Sequence, residues 1–405
     1  MTNLTGKMFF SYRRNQDDVA EFLVESLHEY GIRTWQDISD LKPEPTQDEI
    51  RTVLEVENSE LAGGIVLVSD DVFDSEFILE VELPHLHNRW KNEQQFFVVV
   101  ALCPGVEYDD ASEILSESPT VLDFSNWNKI KLGSKADTPV AADDVATAVL
   151  TERIRLNHKQ LDADQPLGCS LNTYGSSSYA TQPVVTIDWS SHFKDGLPAP
   201  RLWNQRLIPR LHRVIDILEG AAPGRSVHVH GQAHLPAAFA LGRCLRTTRG
   251  IDATWLQQSN GKQEPWSLHI DEQESGFDGD LHVNDIAGSD LAVLVSGTNE
   301  VNAVVGRSKQ TLPDFAGVLE LSLGDDIGSL LSAPEAVHAA RLFQREVQSA
   351  LNELSATSTI HLFMAAPAGL VFLYGQQSNT FPSIQTYLLE TTDGERTYRP
   401  AALLK

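Results

Sequence analysis

Two apolar runs constrain this chain more than any other feature. Ile65-Val66-Leu67-Val68 follows the pair Gly63-Gly64, and Phe96–Leu102 is apolar until Pro104-Gly105 ends it. Neither alternates polar with apolar residues. Each therefore reads as a strand covered on both faces, the mark of a parallel sheet between helix layers. Met8–Ser11 and Ile32–Trp35 supply two more strands. Between them Val19, Phe22, Leu23, Leu27 and Tyr30 share one helix face, and Gly31 is its stop. Further helices are expected over Ile50–Leu61, over residues 77–90 with a kink or restart at Pro84, and over Ala142–Leu156. This β-α-β-α order predicts an α/β domain with a parallel sheet and right-handed crossovers.

At 405 residues the chain is too long for one ordinary core. Residues 157–183 are rich in Ser, Asn, Gly and Gln, and Asn172–Ser178 is the clearest loop signal within them. The expected organisation is a first domain over 1–156, a linker over 157–183 and a second region over 184–405. That second region repeats itself. Residues 227–242 and 360–375 each read as a strand containing His, a small turn with Pro, then an apolar helix ending at Gly. Each copy has a long helix upstream (Trp203–Leu218, Pro334–Leu354) and a strand downstream (Asp252–Leu256, Ile384–Leu389). Two fused Rossmann-like units follow from this degenerate repeat. Their strand-end turns would meet across a pseudo-twofold axis and form a composite ligand pocket.

The net charge is −25, and residues 1–155 carry −17 of it, from 13 basic and 30 acidic residues. Such a chain lacks the basic face that duplex DNA requires. A small anionic ligand remains compatible, because helix N-termini and local arginines can hold it. No apolar run approaches the roughly 20 residues of a membrane span. The N-terminus lacks a basic region followed by a hydrophobic core, so no signal peptide is expected. Cys103, Cys169 and Cys244 are far apart and odd in number, which fits reduced thiols in a cytoplasmic protein rather than disulfides or a zinc site.

The run Phe9-Phe10-Ser11-Tyr12-Arg13-Arg14 is a strand-to-helix turn, at the sheet edge where open α/β folds bind ligands. In the second region the comparable turns contain Gln232 and His234, Ala366 and Pro367, and Ser296, Gly297 and Thr298, the last after a strand over Leu291–Val295. Small residues there let backbone amides approach phosphate. Arg201, Arg307 and Lys309 are candidate phosphate partners. Ordinary strand-to-helix loop chemistry is the competing reading for each. His228 and His230 share a strand face and His234 follows, but no Cys or acid joins them. Strand packing outweighs a metal site, and no metal is expected. His85 and His87, two apart on a helix, cannot converge on one ion. No Ser/His/Asp motif, Walker loop or Gly-x-Gly-x-x-Gly occurs.

Phe10-Ser11-Tyr12-Arg13, Gly31-Ile32-Arg33-Thr34-Trp35-Gln36-Asp37, Val68-Ser69, Ser75-Glu76-Phe77 and Glu82-Leu83 together resemble a TIR domain over residues 5–155. Ile187-Asp188-Trp189, His234-Leu235-Pro236 with Ala240-Leu241-Gly242, and His361-Leu362-Phe363 with Pro367 resemble a SAVED domain of two CARF-like units over 184–405. The combination resembles an effector of prokaryotic antiviral, CBASS-type defence. The resemblance implies a flavodoxin-like TIR domain followed by two Rossmann-like units. It also implies that a cyclic oligonucleotide, tri-adenylate-like, binds the SAVED region and drives assembly into oligomers or filaments. The TIR domain would then hydrolyse NAD to nicotinamide and ADP-ribose, with NAD as substrate and no cofactor.

Cleavage of the nicotinamide–ribose bond develops positive charge on the ribose, which a carboxylate stabilises. The family places its glutamate four or five residues after an aromatic and before Leu, Ile or Met. Glu82 follows Phe77 by five and precedes Leu83. Glu80 is the alternative, and residues two apart on a helix cannot face one cleft. By the same resemblance Phe10 shapes the pocket wall and Arg13 meets the pyrophosphate. Trp35 and Asp37 begin the cover loop, with Trp35 stacking on a flat ring. Core packing competes for Phe10 and Trp35, and a solvated turn competes for Arg13. Two other readings stay open, a non-enzymatic signalling adaptor and a TIR cyclase making a cyclic ADP-ribose signal.

Overall fold

The computed structural model describes the chain apart from residues 1–2, 14–15, 36–46, 56–59, 110–125, 135–137, 176–181, 260–261, 285–288, 309–311, 330, 355–356 and 393. Two compact units emerge. One gathers Met1–Ser170, Tyr179–Asp188 and Asp216–Pro223, and the other Leu171–Ser178, Trp189–Ile215 and Gly224–Lys405. No helix among the described residues is long and apolar enough to cross a membrane. All three cysteines are buried, and none of them forms a disulfide.

The first unit opens with β1 (Lys7–Ser11), α1 (Asp17–Glu29), β2 (Thr34–Trp35), α2 (Gln47–Glu55) and β3 (Leu61–Val68). A wide helical turn over Ile78–Glu82 then leads into α3 (Leu83–Asn92), followed by β4 (Phe97–Leu102), β5 (Asn128–Lys131) and α4 (Thr138–Gln160). The sheet order is β2-β1-β3-β4-β5, and every pairing is parallel. This is the flavodoxin-like order, whose ligand crevice opens at the carboxyl ends of β1 and β3, where the strand order reverses. All eight residues of β3 are buried, as expected for a strand covered on both faces. Gly31 ends α1 in the left-handed region at φ +86°, which only glycine adopts without strain.

Two expectations need correction, and the alternatives at Pro84 are decided. Leu61 belongs to β3, not to the helix before it, because Gly63 and Gly64 extend the strand rather than end a loop. Of the two expected outcomes at Pro84, the helix restarts there instead of kinking. It sits in the first turn of α3, where its missing N–H needs no partner, and the irregularity falls just before it. The segment 157–183 is not a plain linker, since α4 runs to Gln160 and β6 occupies Leu167–Asn172.

After β6 come β7 (Val185–Asp188), α5 (Ile208–Ala221), β8 (Val227–His230), α6 (Leu235–Cys244), β9 (Ala253–Ser259) and β10 (Lys262–Trp266). The remainder comprises β11 (Asp278–Val283), β12 (Asp290–Ser296), α7 (Asn302–Ser308), β13 (Phe315–Ser322), α8 (Ala333–Glu353), β14 (Thr359–Ala365), α9 (Ala368–Gln377), β15 (Ser383–Thr392) and β16 (Glu395–Leu404). In the second unit β8 pairs parallel with β9, and β10 adds antiparallel. A six-stranded sheet has order β11-β13-β12-β14-β15-β16, parallel at its centre and antiparallel at both edges.

The internal repeat is physical. The residues before α6 and α9, His234 and Pro367, share φ −58° with ψ 143° and 141°. Gly242 and Gly375 are each the eighth residue of their helix. A Cβ on Gly242 would lie 2.0 Å from the Phe372 carbonyl oxygen, and one on Gly375 2.3 Å from that of Phe239. Phe239 and Phe372 are each the fifth residue of theirs. The contact is therefore reciprocal, as a pseudo-twofold pair requires, and two glycines let the helix backbones touch.

Candidate functional site

The crevice of the first unit forms at the carboxyl ends of β1, β3 and β4. Ser11 closes β1 and is 1% exposed, and its hydroxyl donates to Oε2 of Glu82, itself 6% exposed. Glu80, two residues earlier, is exposed. The wide turn over Ile78–Glu82 thus separates the two candidates, sending one carboxyl inward; turns of this type mark functional positions in helices. Burial raises Glu82 from 4.5 to about 7, and the Ser11 hydroxyl opposes the rise. At neutral pH this carboxyl is close to half ionised.

The neighbouring groups are already engaged. The Arg13 guanidinium lies 2.9 Å from Asp71 and 3.1 Å from Asp74, and also donates to the Asp71 carbonyl. It is therefore not a solvated turn residue, and all of these contacts are made by Nη1. Phe10 is wholly buried and stacked on Tyr12 at 5.3 Å, so it packs the core instead of walling a pocket. Trp35 is half-buried, pairs in register with Phe9 and stacks on it at 5.5 Å. Asp37 lies outside the described residues. Cys103, just past β4, is pushed up to about 12 by burial and by the Asp71 and Asp70 charges, which keeps its thiol protonated.

In the second unit the candidate turns fall into two clusters. One surrounds His234. Thr173 Oγ1 accepts the His234 amide at 2.8 Å and lies 2.7 Å from Nδ1. A hydroxyl that donates to Nδ1 leaves the ring proton on Nε2. Phe193 stacks on the imidazole at 4.4 Å and Tyr174 meets it edge-on at 4.5 Å. Burial lowers His234 to about 4, so the ring is neutral at physiological pH. Gln232 is exposed beside it, and its backbone N–H donates to Asn172 Oδ1 at 3.3 Å. The sequence reading missed Thr173, Tyr174 and Phe193. The first two lie in the stretch taken as linker, and only their place after a β-strand signals otherwise.

The other cluster joins Ser296, Gly297 and Thr298 to the end of β14. The Gly297 and Thr298 amides both donate to the Ala365 carbonyl at 2.8 Å. Ser296 Oγ accepts the Val301 amide at 3.1 Å. Beyond buried Ala366 and half-buried Pro367, the Gly369 amide donates to Gln257 Oε1 at 3.0 Å. The expected cradle of open amides is thus corrected: these amides tie the loops together. Exposed side chains, Gln232 and Thr298, are what these turns present. Arg201 donates to Gln205 at 2.7 Å, Arg307 is exposed on α7, and Lys309 lies outside the described residues. His228 and His230 are both lowered by burial, His230 to about 4, as strand packing implies.

Comparison with known proteins gives a family match over the part of the chain that holds Gln232, His234 and the turns at 296–298 and 365–367. Residues 211–404 match SAVED. The family is described as the SMODS-associated sensor domain fused to various effectors. Among solved structures, the Acinetobacter baumannii Cap4 SAVED/CARF-domain receptor with 2′3′3′-cAAA is 14% identical, with TM-score 0.50 over 89% of this chain and 85% of that one. The same receptor with 3′3′3′-cAAA is 13% identical, with TM-score 0.49 over 97% and 99%. At this identity the first likeness speaks for shared fold. No curated protein matches the chain in sequence.

Proposed function

We propose that this chain is a cyclic-oligonucleotide-gated NAD hydrolase of antiviral defence. The sensor half rests on the SAVED match over residues 211–404 and on a fold shared with a receptor that holds a cyclic tri-adenylate. The His234 cluster suits one base of such a ligand. An aromatic-backed imidazole supplies a donor at Nε2, and the exposed Gln232 carboxamide supplies a donor and an acceptor. The catalytic half rests on the buried Glu82 carboxyl at the β1–β3 reversal point, held by Ser11, together with the TIR-like motifs that run through the same unit.

In this reading Glu82 acts as the anion. Its carboxylate accepts the ribose hydroxyls and stabilises the positive charge that builds as nicotinamide departs. Nicotinamide leaves as a neutral base with the electron pair of the broken bond, and water adds to the ribose to give ADP-ribose, its proton passing to solvent. The ligand activates by binding an assembled state more tightly than the monomer. The −17 charge of residues 1–155 opposes self-association, so assembly needs less ligand at higher salt. The deciding assay is NAD consumption by the full chain across cyclic di-, tri- and tetranucleotides. Consumption with one of them, lost in Glu82→Gln, is expected; none with any member removes the proposal.

A further inference from the structure

Ser11 closes a strand whose preceding residues Met8, Phe9 and Phe10 are wholly buried and apolar. At 1% exposure an alanine would fill the same space with no polar group to satisfy. A buried hydroxyl needs a partner, and the partner here is Oε2 of Glu82, 71 positions later in the chain. We propose that Ser11 is a positioning residue, holding one Glu82 carboxyl oxygen at the carboxyl end of β1. The assignment rests on the reading of Glu82 as the ribose-stabilising carboxylate.

The geometry gives the bond two effects. It fixes the carboxyl through Oε2, which leaves Oε1 as the oxygen for a ribose hydroxyl. It also favours the ionised form against burial, since a hydroxyl donating to a carboxylate is a charge-assisted bond. The surrounding ionisable groups either have partners of their own or face solvent. On α2, Glu55 lies 3.4 Å from His85, and Arg51 lies over the Phe77 ring at 5.7 Å. Glu80 is exposed, and Arg13 is paired with Asp71 and Asp74. Burial and Ser11 are the two causes acting on Glu82.

The test uses the full chain with Ser11→Ala, Ser11→Cys and Ser11→Thr, each checked for cooperative unfolding. Glu82 ionisation is followed by infrared difference spectra of 13C-glutamate-labelled protein against the matching Glu82→Gln variant. Ser11→Ala is expected to raise the midpoint by about one pH unit, Ser11→Cys by less, and Ser11→Thr to restore it. The pH profile of NAD cleavage should shift by the same amount. Should Ser11→Ala not fold, the midpoint of Ser11→Cys decides the same question. A midpoint unmoved by both changes overturns the assignment. The titration needs no turnover, so a chain that consumes no NAD overturns the hydrolase reading separately.

Discussion

Replacing Glu82 by Gln should make the first unit more stable, and increasingly so as pH rises. Glu82 is 6% exposed, and burial lifts it from 4.5 in the unfolded chain to about 7 in the folded one. Below 4.5 the carboxyl is neutral in both states and neither is favoured. Between 4.5 and 7 the unfolded chain releases its proton while the folded chain retains it, so stability falls as pH rises. Above 7 both are ionised and the full penalty stands, about 3 kcal/mol at 1.36 kcal/mol per unit. A glutamine keeps a carbonyl oxygen for the Ser11 hydroxyl and carries no charge. The advantage of Glu82→Gln over wild type should therefore grow by about 2 kcal/mol between pH 5.5 and 8. That corresponds to about 4–8 °C in the transition of a unit of this size. Calorimetry of the two full-length chains at several pH values measures it. A stability difference that is constant across this range, or that shrinks as pH rises, would refute a buried, ionising Glu82.

Catalysis should follow the opposite limb of the same titration: NAD cleavage rises with pH through about 7, as the carboxylate forms, and a profile flat from pH 5.5 to 8 counts against the anionic role. Gly242→Ala and Gly375→Ala each place a Cβ within 2.3 Å of a carbonyl oxygen and should lower the stability of the second unit by about 3 kcal/mol or more. Gly220→Ala, with nothing within 4 Å, should be neutral or stabilising by up to about 1 kcal/mol; denaturant titration of all three compares them. His234→Ala should weaken cyclic tri-adenylate binding at least tenfold by calorimetry. Because burial holds His234 near 4, wild-type affinity should not change between pH 6 and 8 through this residue. Asp290→Asn should weaken the buried chain in which His361 lies 2.7 Å from the Tyr387 hydroxyl and 3.2 Å from Asp290, at a cost of about 1–3 kcal/mol in thermal unfolding.

The layered part of the fold was legible because its signals are local and repeated. Apolar runs such as Ile65–Val68 and Leu291–Val295 admit only doubly covered strands, and the helices between them keep one apolar face. The matched Gly242 and Gly375 announced the repeat before their reciprocal contact was seen. The edges were not legible. β5, Asn128–Lys131, is half-exposed or exposed along its length, and β11, Asp278–Val283, is mostly exposed. Such strands are held by a neighbour's backbone hydrogen bonds rather than by their own apolar pattern. The return of Asp216–Pro223 to the first unit likewise leaves no mark in composition.

The site shows a sharper division. Aromatic spacing and the following Leu83 favour Glu82 over Glu80 in the sequence, and the wide turn at 78–82 buries the first and exposes the second. Arg13 was not separable, because its role depends on what sits opposite. Its partners Asp71 and Asp74 lie some sixty residues away, on the loop after β3, and no spacing rule connects them. The amides of Gly297 and Thr298 failed in the same way. Small residues permit close approach, but what approaches is the Ala365 carbonyl of the chain itself. A glycine or an arginine at a strand end therefore marks a place where something polar can come close. Whether that is a ligand or the next loop is decided by long-range pairing, and in this chain the next loop takes most of those places. Under the proposed function, the side chains of Glu82, His234 and Gln232 are the ones left to meet nucleotides.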